Sequence, residues 1–176
     1  LELGADPEVR DKGGNTALAF LSEAKPKDDQ DGQEFYAERI RLLVDHGADL
    51  DSRNQDGMTP LMLALHTYEG ADAARALIAA GADVTVRDDQ GLDALMSAIV
   101  SYDGFDVVQE ILAQKPKLDN KDEDGDTALT VALRRGRTKL AQQLLNAGSP
   151  FDMENEEQEN PLHLAVRFGN VELVQT

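Results

Sequence analysis

Five times along the chain, a glycine or its stand-in is followed two residues later by a side chain able to cap a helix, and two residues after that by a leucine. The frames are Gly14-Asn15-Thr16-Ala17-Leu18, Gly57-Met58-Thr59-Pro60-Leu61, Gly91-Leu92-Asp93-Ala94-Leu95, Gly125-Asp126-Thr127-Ala128-Leu129 and, more loosely, Gln158-Glu159-Asn160-Pro161-Leu162. Glycine supplies the positive φ that a tight turn often needs. Thr, Asp and Asn accept from the orphan N–H groups of a helix start, and Pro60 falls at the first helical position, where its missing N–H costs nothing. One slot filled five times with cap residues predicts a turn running straight into a short helix, repeated along the chain. This constrains the fold more than anything else in the sequence.

A second motif closes each unit. Leu1-Glu2-Leu3-Gly4-Ala5-Asp6, His46-Gly47-Ala48-Asp49, Ala80-Gly81-Ala82-Asp83 and Ala147-Gly148-Ser149-Pro150 each read as the end of a helix stopped by a glycine. The unit is therefore turn, short helix, connection, second helix, glycine stop and an extended segment. In the third unit Gln114-Lys115-Pro116-Lys117 replaces the stop, with Pro116 able to end the helix. The repeated leucines Leu18, Leu61, Leu95, Leu129 and Leu162 lie 43, 34, 34 and 33 residues apart. With aromatic residues at 5% and no Trp, the core is expected to be Leu, Ala, Val and Ile, which suits closely stacked small helices.

A turn and two helices at a period near 33 residues is the ankyrin pattern. The chain resembles the ankyrin repeat family, whose Thr-Pro-Leu-His-x-Ala core is best matched by Thr59-Pro60-Leu61-Met62-Leu63-Ala64 and Asn160-Pro161-Leu162-His163-Leu164-Ala165. The resemblance implies an all-α solenoid of stacked helix-turn-helix units with β-turn or hairpin-like connections. Residues 1–176 then form one array. Residues 1–10 end a preceding repeat, 11–53, 54–87, 88–121 and 122–154 are whole repeats, and 155–176 is a repeat that stops inside its second helix at Val171-Glu172-Leu173-Val174. Both ends read as cut, and neither shows the polar end cap that solenoids use. The long first repeat carries an inserted polar loop at 25–33, read either as a tolerated surface loop or as part of a working face.

Several function classes are disfavoured. The chain has no Cys, which excludes disulfides, thiolate metal sites and a Cys nucleophile, and fits a reducing cytosol while leaving the periplasm or secretion as an effector open. Its formal charge of −17 disfavours nonspecific nucleic-acid binding, which depends on Lys and Arg. That charge serves either solubility or a basic partner. No apolar run approaches the roughly 20 residues of a membrane span. Asn120 to Asp126 resembles the opening of a calcium loop, but Val131 stands where the bidentate Glu belongs, and in the inserted loop Lys27 stands where the first ligand belongs. The three histidines, His46, His66 and His163, fall in different repeats and show no paired metal spacing. No phosphate-binding glycine loop is present. The expectation is a non-catalytic chain without metal or cofactor.

By the same resemblance, family members bind other proteins along a concave surface made by the turn tips and the outer ends of the first helices. Mapped slot by slot, the candidate partner-binding residues are Asp56, Met58, His66, Tyr68, Asp89, Leu92, Tyr102, Glu123, Asp124, Asp126, Arg134, Arg135, Arg167 and Phe168. Met58 and Leu92 read as apolar side chains at a solvent-facing slot. Tyr68 and Tyr102, in register on neighbouring units, are either a contact ladder or a locally packed pair. The arginines either serve a partner or pair internally with tip acids. The function expected is a protein–protein interaction module, a scaffold or adaptor. The alternatives are an acidic inhibitor or immunity-type protein capping a basic enzyme or toxin, or the targeting region of a larger effector or enzyme.

Overall fold

A computed structural model describes residues 5–25, 31–67, 70–101 and 107–169. Within them lie nine helices: α1 (Ala17–Glu23), α2 (Gly32–Asp45), α3 (Pro60–His66), α4 (Ala71–Ala80), α5 (Ala94–Val100), α6 (Val108–Ala113), α7 (Ala128–Arg134), α8 (Thr138–Asn146) and α9 (Pro161–Arg167). Residues 1–4, 26–30, 68–69, 102–106 and 170–176 lie outside the described residues, and with them the first glycine stop, most of the inserted loop, the pair Tyr68 and Tyr102 and the start of the last second helix.

The repeated cap slot does what its chemistry requires. Thr16, Thr59, Asp93, Thr127 and Asn160 are all N-caps in extended backbone, each accepting from the N–H three residues on. At the fifth cap the box closes in both directions, because His163 Nδ1 takes the Asn160 N–H at 3.3 Å. That is a structural use of His163.

The odd-numbered helices α1, α3, α5, α7 and α9 stack in one layer, and α2, α4 and α6 stack behind them. Leu18, Leu61, Leu95 and Leu129 are fully buried between neighbouring units. Each such burial contributes about 1.5–3 kcal/mol. Alanines at 64, 73, 74, 98, 132, 141 and 165 are also fully buried. These methyl-sized side chains let the helices approach closely, which explains how so few aromatics suffice. The back layer is loosest between α6 and α8. There α6 is only 6 residues long, and Lys115 holds φ 53° in the slot where Gly47, Gly81 and Gly148 take φ 94–101°. A non-glycine residue there stores strain of about 1 kcal/mol or more.

The first repeat corrects one boundary. Asp31 caps α2, whose first residue is Gly32, so the last two residues of the expected 25–33 insertion belong to a helix. At 14 residues α2 is longer than α4 or α8, so part of the extra length extends a helix.

Candidate functional site

The site is built on the turns that precede α3, α5, α7 and α9. Each turn is organised by an Asx side chain that the glycine frame alone does not reveal. Asn54 Oδ1 accepts from Asp56 N and Met58 N, both at 3.0 Å. Asp88 accepts from Gln90 N and Leu92 N at 2.9 and 2.8 Å. Asp122 accepts from Asp124 N and Asp126 N at 3.0 and 2.8 Å. Asp11 and Asn155 hold the same slot. A carboxylate or amide oxygen taking two backbone N–H groups fixes the loop as a rigid finger.

Consecutive fingers are tied together. Gln55 N donates to Gly13 O, Asp89 N to Asp56 O, Glu123 N to Gln90 O and Glu156 N to Asp124 O, at 2.9 to 3.2 Å. The turn glycines make this approach possible. A Cβ at Gly57 would lie 2.7 Å from Asp89 N, and one at Gly125 would lie 2.9 Å from Glu156 N. A basic residue just before each of the first four Asx residues adds a staple. Arg10 donates to Gly14 O and Arg53 O, Arg53 to Gly57 O, Arg87 to Gly91 O and Lys121 O, and Lys121 to Glu154 O. In the fifth turn the two slots hold Glu154 and Gln158, the latter at φ 60°. The Arg-Asx pairs recur at the spacings of the leucines, so the signal was in the sequence.

Against this framework the expected binding residues separate. Asp56, Asp89, Glu123 and Asp124 are exposed on the finger tips. Asp89 is paired with Arg53 at 2.7 Å, an exposed contact worth little. No cation pairs with Asp56, Glu123 or Asp124 among the described residues. His66 is exposed at the end of α3. Partial desolvation in the groove depresses its pKa below 6.5, against the opposing pull of the Asp88 carboxylate. The imidazole is therefore mostly neutral at pH 7.

Two residues expected at the tips point inward instead. Leu92 is 9% exposed and Asp126 is 3% exposed, while Met58 in the same slot is half-buried. The slot lies between the turn glycine and the cap, where the chain bends into the helix. Leu92 is thus part of the core cluster. Asp126 accepts from Asn155 Nδ2 at 3.1 Å and pairs with Arg134 Nε at 3.2 Å.

The arginines are occupied within the chain. Arg134 reaches Asp126, then Glu157 at 3.2 Å and the buried Glu159 at 3.6 Å, while Arg167 pairs with the other oxygen of Glu159. Arg135 Nη1 donates to Val100 O at 3.1 Å, and Arg137 donates to Ser101 O. Both therefore cap the carbonyl end of α5, where a cation is favoured. Phe168 is 44% exposed at the end of α9, beside exposed Leu162 and Val166.

Between the third and fourth fingers and the ends of α5 and α7 lies a cleft of about 330 Å³, lined by Leu92, Val100 and Val131 together with Asp122, Glu123, Asp124 and Arg135. Asp122 has its pKa raised, chiefly by desolvation, with the carboxylates of Asp126 and Asp124 adding to it against two backbone hydrogen bonds. Chemically, the finger row presents fixed anionic acceptors next to a small apolar floor. No group of three or more His, Cys, Asp or Glu able to hold a metal ion occurs among the described residues. Nor is any described helix long and apolar enough to cross a membrane.

Comparison with known proteins agrees with this architecture. The family model for ankyrin repeats (3 copies) matches residues 1–88, 33–116 and 95–176. An ankyrin repeat protein of Rickettsia felis is 39% identical over 61 residues, a stretch covering 35% of this chain and 25% of that protein. Ankyrin repeats are in general protein–protein interaction modules, typically without catalysis of their own. The fingers, the paired helices and the family match together place the chain in the ankyrin repeat family.

Proposed function

We propose that this array is a scaffold or adaptor that holds a basic segment of a partner protein along the groove between its fingers and the ends of its first helices. One observation carries the reading: the groove's arginines are spent on internal acids and carbonyls, whereas the tip carboxylates Asp56, Glu123 and Asp124 have no cation among the described residues. The face therefore remains anionic. Half-buried Met58 and neutral His66 give the same row an apolar component, and the rigid ladder lowers the entropy lost on binding. Charge on the tips speeds encounter and selects partner sign.

The test begins with capture on the immobilised chain and identification of the retained protein. Binding of that purified protein is then measured by calorimetry to the wild type, to Asp56→Lys/Glu123→Lys, and to Glu38→Lys/Asp45→Lys on α2. Loss confined to the finger variant supports the groove. Loss confined to the α2 variant refutes it. The net charge of −17 also favours a second reading, an inhibitor capping a basic enzyme or toxin. Such a complex would weaken steeply with salt and would lower the activity of the captured protein.

A further inference from the structure

The cleft between the third and fourth fingers has both an apolar floor and a charged rim. Its floor is Leu92, Val131 and half-buried Val100. At about 330 Å³ it has room for one long side chain and not for a helix. Its rim is Asp122, Glu123 and Asp124. None of the three is ion-paired among the described residues, and Asp122 uses one oxygen for two backbone N–H groups. Asp126, Arg134 and Arg135 line the cleft as well, with Arg134 paired to Asp126, Glu157 and Glu159 and Arg135 donating to the Val100 carbonyl, so that four carboxylates face two guanidiniums and the lining stays anionic. An aliphatic stem fits the floor, and a cationic head fits the rim.

Deepening the groove reading, on which this rests, we infer that the cleft is the subsite for a single Arg or Lys side chain of the partner, its methylenes on Val100 and Val131 and its charge on Glu123, Asp124 and Asp122. The floor explains why the subsite would distinguish a long basic side chain from a mere positive field, since a diffuse field has no use for an apolar base.

The probe is a ten-residue peptide alternating Arg and Leu, followed by amide chemical shifts on the full chain. Companion peptides carry citrulline, the uncharged isostere, or Glu in place of Arg. The expected result is saturable shifts at Gln90, Leu92, Val100 and Val131 with the Arg peptide and none with citrulline. Glu123→Lys/Asp124→Lys, two exposed positions, should lower affinity about tenfold or more, while Glu38→Lys leaves it unchanged. If that variant binds normally and Asp56→Lys/Asp89→Lys loses the peptide, the subsite is wrong and the groove reading stands. If neither variant matters, or the Glu peptide binds best, both readings fall.

Discussion

Replacing Gly57 with alanine tests how the fingers are held. Gly57 sits at φ +74°, and a Cβ there would lie 2.7 Å from the backbone nitrogen of Asp89 in the next finger. The left-handed backbone alone costs an alanine about 1 kcal/mol. Relieving the overlap means moving finger three away, which loses the Asp89 N to Asp56 O bond of 3.1 Å. That bond contributes about 0.5–1.5 kcal/mol, and the exposed Arg53–Asp89 pair up to about 1 kcal/mol more. The expected loss for Gly57→Ala is about 1.5–3.5 kcal/mol. Gly81→Ala is the internal control: its φ is +101°, but nothing lies within 4 Å of the added Cβ, so only the same backbone cost of about 1 kcal/mol remains. Urea unfolding followed by circular dichroism at 25 °C gives both values, and hydrogen exchange at the Asp89 amide shows whether the finger has moved. Equal losses for the two variants would refute the close approach of fingers as the role of Gly57.

Lys115→Gly should stabilise the chain by about 1 kcal/mol, because it removes a side chain from a left-handed stop that glycine fills in the other repeats; an unchanged urea midpoint would contradict the strain. Asp122→Asn keeps the oxygen that organises the finger, as Asn54 and Asn155 do at that slot, and removes a desolvated charge. Because the folded pKa of Asp122 is raised above 3.8, its penalty is present at pH 7 and is lost as pH falls through the raised value towards 3.8. The variant should therefore be the more stable at pH 7, with the gap closing in acid; a gap that widens in acid would reverse the sign. Arg134→Ala leaves buried Asp126 without its cation and Glu159 with Arg167 alone, and should cost about 2 kcal/mol, less than a fully buried pair since Arg134 is 30% exposed. Thermal unfolding checks it, and a loss below about 0.5 kcal/mol would class the pair with ordinary surface contacts.

The repeated frame was legible because each residue in it answers a local backbone demand: a positive φ at Gly57, an orphan N–H at Thr59, a buried leucine at Leu61. Such demands leave residue types at fixed spacing. The direction of a side chain between two such positions leaves no comparable mark. Leu92 and Asp126 occupy a slot that the frame alone cannot distinguish from a tip, and their burial depends on neighbours distant in sequence, such as Asn155 against Asp126. The Arg-Asx pairs stood at the same period and escaped notice because Arg and Asp read as ordinary surface charge in so acidic a chain. The division of the arginines between partner and internal acids depended on distances across repeats, to which spacing is blind. Tyr68 and Tyr102 lie outside the described residues, so the aromatic ladder remains a sequence expectation.

The central claim is that the partner lies on the fingers and not on the outer helices. Hydrogen–deuterium exchange of the chain with and without its captured partner tests this most directly. The account predicts added protection at the finger amides around Asp56, Gln90 and Asp124 and at the ends of α3, α5 and α7, with α2, α4 and α8 unchanged. Protection confined to α2, α4 and α8 would contradict it.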